Sequence, residues 1–237
     1  MTGSTPSQAT GSIETIIERI QSSSLASRRD FLRRSAAAGA GALALSVAGS
    51  NTALAHDASA DDTSDIDVLN YALTLEHLEN AFYRMGREEF DRDDFMSARS
   101  LEGFGSRVRG NVRENLRDIG AHEQTHVDTL SSVIEGLGGD PVTEGCYDFG
   151  VDDADEFIAV AGVLENTGVS AYDGAIDLVG NADLLTAGAT IATVEARHAS
   201  YLNLLNGEDP FPAAFDDPKS MQEVLDAAGG FIVECTD

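Results

Sequence analysis

Val112, Leu116, Ile119, Glu123, His126, Leu130, Val133 and Leu137 follow one another at steps of 4, 3, 4, 3, 4, 3 and 4. Apolar residues at that spacing share one face of an α-helix, which must be buried against a partner. The seam is broken in its middle by a glutamate and, three residues on, a histidine. Gly138-Gly139-Asp140-Pro141 then supplies a helix stop. A second stretch repeats the design, with Leu184, Gly188, Ile191, Glu195, His198 and Leu202 on one face, and Asn206-Gly207, Pro210 and Pro212 beyond it.

Two further segments carry helical seams with one inward acid each. The first runs Leu69, Leu73, Glu76, Asn80, Tyr83, and the other Ile158, Ala161, Glu165, Gly168, Tyr172, Ala175, Val179. In both, a tyrosine follows the glutamate seven residues later. The chain therefore reads as two halves, each a Glu-bearing helix followed by a Glu-x-x-His helix. Four helices packed by such seams make an all-α four-helix bundle over residues 66–207. The stretch from Gly138 to Asp155 is then a long crossover along the bundle. Residues 208–237 form an extension packing on it, with a short helix signalled by Ser220-x-x-Glu223 after Pro218. "GREEFDRDDFMSARSLEGFGSRVRG", from Gly86 to Gly110, reads as an irregular excursion or short helix at one bundle end. Its glycines do not form a phosphate cradle.

Four inward glutamates need counter-charge, because burying one unpaired carboxylate costs several kcal/mol and a domain is stable by only about 5–15 kcal/mol. Two divalent cations would match four carboxylates, with His126 and His198 as neutral ligands. Residues i and i+3 share a helix face, so each Glu-x-x-His can reach one inward point. One Glu from each of two helices and Glu-x-x-His from the other two is the donor set of carboxylate-bridged dimetal bundles. Glu76, Glu123, His126, Glu165, Glu195 and His198 are thus the expected ligands of two iron or manganese ions, with Glu76 and Glu165 read as the bridges. The competing reading is a bundle whose buried acids are neutralised by arginines or water. Glu79, one helical step from Glu76, is the alternative ligand, and the repeat favours Glu76. Tyr83 and Tyr172 are candidates to bond the ligands, or plain core tyrosines. His77 and His122 read as off-seam, and His56 as a tail residue.

Composition narrows the setting. With 15 basic against 41 acidic residues the net charge is −26, which argues against nucleic acid and anionic membranes as partners. A folded surface so rich in acids suits concentrated salt, and a salt-loving source is expected. "SRRDFLRRSAAAGAGALALSVAGSNTALAH" joins the pair Arg28-Arg29 to a short Ala/Gly/Leu run and a small-x-small site ending at Ala55. Residues 1–55 therefore read as a twin-arginine signal peptide and 56–65 as a linker. The expected partner is the twin-arginine export machinery, the location extracellular or cell-surface, and no span is expected in the mature chain. Cys146 and Cys235 are the sole cysteines, and outside the cell an even pair reads as one disulfide.

"DVLNYALTLEHLENAFYRMG", "AHEQTHVDTL" and "LENTGVSAYDGAIDLVGNADLLTAGATIATVEARHASYLNLLNG" resemble the ferritin-like domain of the desiccation-related protein family. The resemblance covers about Asp65 to Asn206. It implies a ferritin-like bundle and carries the dimetal ligands onto the same six residues. Two functions remain in view: a dimetal oxidoreductase acting on peroxide or dioxygen, ferroxidase-, peroxidase- or catalase-like, and a non-catalytic stress-associated protein with a structural metal or none. Homo-oligomers are compatible with either. Iron storage would require a cage, against which the Gly86–Gly110 excursion and the tail both speak.

Overall fold

The computed structural model describes residues 64–235. Arg28, Arg29, the rest of the expected signal peptide and His56 lie outside them. Four long helices dominate: α1 (Asp65–Glu89), α4 (Val112–Gly136), α5 (Ala154–Ala175) and α6 (Ala182–Leu205). Between α1 and α4 come α2 (Arg92–Ser97), a 3-10 turn and α3 (Ser106–Arg109), and the tail adds α7 (Met221–Ala228). Among the described residues no helix is long and apolar enough to cross a membrane.

Local chemistry sets the helix ends. Ser64 and Ser220 form capping boxes with Asp67 and Glu223, and Asp153 and Asn181 cap α5 and α6 through their side chains. These caps satisfy amides that have no partner inside the helix. Helices α4 and α6 end alike. Gly138 and Gly207 adopt φ of 81° and 74°, and the amides of Gly139 and Glu208 reach back to Ile134 and Asn203. That is a Schellman end, which glycine adopts without a Cβ penalty.

Helix α1 packs on α4, α5 packs on α6, and the two hairpins meet along α1 and α5. Helices α4 and α6 face each other through side chains, with Asn115 donating to the Tyr201 hydroxyl at 3.0 Å. The crossover climbs the outside of α1. Asn70 holds Asp140 and Val142, His77 Nε2 lies 3.1 Å from the Val142 carbonyl, and Arg84 pairs with Glu144. It ends in a two-residue strand, β1 (Cys146–Tyr147), antiparallel to β2 (Ile232–Val233), and Cys146 is disulfide-bonded to Cys235.

Differences from the sequence reading have local causes. Gly86 does not begin an excursion, because α1 continues through it to Glu89. A Cβ there would lie 2.0 Å from the Phe157 ring, so glycine serves close packing between α1 and α5. In α4 the buried stripe passes through Ile134 rather than Val133, and Leu137 is 44% exposed. A helix of 3.6 residues per turn drifts away from a strict seven-residue repeat. Val179 falls beyond α5, which ends at Ala175 and passes into a 3-10 turn. Leu184 and Gly188 are only half-buried, since the first turns of α6 lie largely in solvent.

Candidate metal centre

Along α1, α4 and α6 the apolar core is split in two. Phe82, Leu116, Ile119 and Leu202 belong to one cluster, and Leu69, Leu73, Leu130 and Ile191 to the other. Glu76, Glu123, Glu165 and Glu195 occupy the level between, each 0% exposed, with His126 at 8% and His198 at 5%. The helix period thus brings all six expected ligands into one layer, and the two imidazoles are the members that touch solvent.

The donors form two groups. Glu76, Glu123, His126 and Glu195 offer atoms within 4.8 Å of one another, and so do Glu123, Glu165, Glu195 and His198. Glu123 and Glu195 are common to both groups. Glu76 and Glu165, expected as the bridges, each fall in one group only. Helices α4 and α6 aim their glutamates at the midline from opposite sides, while Glu76 stands beside His126 and Glu165 beside His198.

Distances within each group match ligands gathered about a common point. His126 Nδ1 lies 3.1 Å from an oxygen of each of Glu76, Glu123 and Glu195. His198 Nδ1 lies 3.1 Å from Glu123 and Glu165 and 3.8 Å from Glu195. A single ring N–H cannot serve three oxygens, and Glu123 Oε1 and both oxygens of Glu195 are left without a hydrogen bond. Donors about 2.1 Å from one ion and at right angles stand about 3.0 Å apart. The donor set and its orphaned oxygens therefore fit a metal ion of that size. Among the described residues no arginine or lysine pairs with these glutamates; their cationic neighbours are the two imidazoles.

Electrostatics reports the same unmet charge. Burial, ahead of the neighbouring Glu195 and Glu123 charges, pushes Glu76 up to about 8 against the pull of His126. Burial with Glu195 and Glu123 drives Glu165 well above the carboxylate range. Burial also opposes charge on Glu195, but the two imidazoles facing it outweigh burial and hold the group at about 2. The imidazoles are disfavoured as cations by burial, yet the surrounding carboxylates push both up to about 12. Without metal, protons do the neutralising.

The tyrosines cross between the halves. Tyr83 of α1 donates to Glu165 of α5, and Tyr172 of α5 donates to Glu76 of α1, both at 2.5 Å. Each fixes a carboxylate belonging to the other hairpin. Glu79 belongs to neither donor group, although it is 3% exposed. His77 is buried against the crossover. His122 takes a place its off-seam position did not announce: its Nδ1 lies 2.9 Å from His198 Nε2, with the rings near-parallel. Its spacing of four from His126 was the available signal, and it is the sort of outer partner that orients a ligating imidazole. His126 has no equivalent, because the corresponding residue of α6 is Val194.

The chain matches the ferritin-like domain family over residues 64–208. No curated protein matches it.

Proposed function

Because the chain belongs to the ferritin-like domain family, with most of its length matched, we propose that its buried layer is a carboxylate- and histidine-bound dimetal centre for redox chemistry on a small oxidant. The observation that carries this reading is the pair of overlapping donor groups sharing Glu123 and Glu195. Glu76 and His126 would complete one metal position, and Glu165 and His198 the other. Two adjacent ions, iron or manganese, would supply a two-electron couple.

The protein's own part is arrangement. Tyr83 and Tyr172 hold the end carboxylates by hydrogen bonds, and His122 orients His198. Four shielded glutamates leave the imidazole side as the one that touches solvent, and a small oxidant such as peroxide or dioxygen would approach from there. Apolar clusters on either side keep bulk water from the layer. The donor set accepts iron and manganese alike.

Place and role in the cell rest on sequence. The Arg28-Arg29 signal supports export by the twin-arginine route to the cell exterior, and the net charge of −26 supports work in concentrated salt. The resemblance to the desiccation-related family supports a part in stress protection. Metal analysis of protein prepared without chelators, paired with peroxide consumption, tests the proposal. Two ions per chain with turnover are expected. Substoichiometric metal without turnover would leave a stress-associated structural protein in its place.

A further inference from the structure

The six donors repeat between the halves of the bundle. Glu76 and Glu165 are 89 residues apart, while Glu123 and Glu195, and His126 and His198, are each 72 apart. Each position of the dimetal reading therefore has the same donors: one glutamate and one histidine of its own, and the two shared glutamates. The donors alone give no reason for the positions to differ.

The outer edge of each imidazole gives one. Both rings face the carboxylates through Nδ1, so Nε2 is the nitrogen left for another partner. In His198 it lies 2.9 Å from Nδ1 of His122, with the ring planes 9° apart and the centroids 5.2 Å apart. In His126 it has no protein partner among the described residues. The offset of 72 pairs His122 with Val194, and a valine side chain neither donates nor accepts a hydrogen bond. The contact is thus built on one imidazole and not on the other. A tie between α4 and α6 does not require it, because Asn115 and Tyr201 already bond across the same pair of helices.

With Nδ1 of His198 turned to a cation, its ring hydrogen sits on Nε2 and donates to Nδ1 of His122. An outer partner of this kind fixes the tautomer, holds the ring plane and makes the ligating nitrogen a stronger donor. On the dimetal reading above, we propose that His122 is a positioning residue that makes the two metal positions unequal. The position of Glu165 and His198 binds its ion more tightly and retains it, and the position of Glu76 and His126 is the weaker, exchangeable one.

Two bound ions repel each other, so each position is measured alone. Glu76→Gln leaves the His198 position and Glu165→Gln the His126 position. Mn²⁺ affinities of the metal-free full chains are read from the electron paramagnetic resonance signal of the free ion. Glu76→Gln is expected to bind Mn²⁺ roughly tenfold more tightly than Glu165→Gln. Adding His122→Phe keeps a ring but removes the accepting nitrogen. It is expected to weaken the Glu76→Gln chain by roughly that tenfold and to leave the Glu165→Gln chain within about twofold of its value. Circular dichroism of the metal-free chains is expected to be unchanged by His122→Phe, since His122 lies exposed on α4. Equal affinity of the two single-position chains overturns the inference and leaves the dimetal reading intact. An equal loss in both backgrounds also overturns it, by making His122 a general tie between the helices, and so does a gap that survives His122→Phe. A natural chain that takes up no Mn²⁺ removes the dimetal reading itself and this inference with it.

Discussion

Glu123 and Glu195 lie in both donor groups, whereas Glu76 and Glu165 each lie in one. Substitution should therefore sort the glutamates into two kinds. Glu123→Gln is expected to take metal content from two ions toward none, and Glu76→Gln toward one, as read by elemental analysis after equilibrium loading. Equal losses would contradict the shared placement. Protons compete for the same atoms. In the metal-free protein Glu76 is raised from 4.5 to about 8, and the imidazoles of His126 and His198 from 6.5 to about 12. Groups whose folded pKa is raised stabilise the fold below their unfolded pKa and lose that contribution as pH rises through the folded value. The metal-free melting temperature is thus expected to fall from pH 5 to pH 8. Metal must displace these protons, so the rise in melting temperature on loading should grow over the same interval. A loading effect independent of pH would show that these groups are not being deprotonated.

At the scale of helices, the seam arithmetic was sufficient to place Glu123 and His126, because a step of three or four residues returns to the same face of any helix. It was insufficient at the helix ends. Val133 and Leu137 continued the pattern on paper, while the real turn carried burial to Ile134. Side-chain reach also lies outside a one-dimensional pattern. The bond from His122 to His198 depends on the separation of α4 and α6, and the shared role of Glu123 depends on their facing directions. Close approaches are hidden for the same reason. Gly174 looks ordinary in sequence, yet a Cβ there would lie 1.8 Å from the Lys219 carbonyl oxygen, where the Lys219 amide donates to Ser170. Gly174→Ala must push the segment before α7 away from α5. Overpacking of this kind costs about 1–3 kcal/mol, to be read from denaturant midpoints. Metal stoichiometry should stay unchanged, since all six ligands lie on α1, α4, α5 and α6.

Across the whole molecule the bundle and its wrapping are separable. The crossover lies along α1, the tail helix lies on α5, and β1 with β2 ties one to the other beside the Cys146–Cys235 bond. These two cysteines are 89 residues apart, so their link encloses α5, α6 and α7 in one loop. In the chain-entropy account, closing a loop of that length stabilises by about 4–5 kcal/mol, chiefly by restricting the unfolded chain. None of the six donors depends on the bond for its position, because each is set by helix packing. Replacing both cysteines by serine is therefore expected to lower the denaturant midpoint by an amount approaching that figure while the folded protein still loads two ions. A variant as stable as the natural chain would mean that the strand pair and the Lys219–Ser170 contact already confine the tail. Loss of metal from the folded variant would mean that the wrapping holds the helices at their working separation.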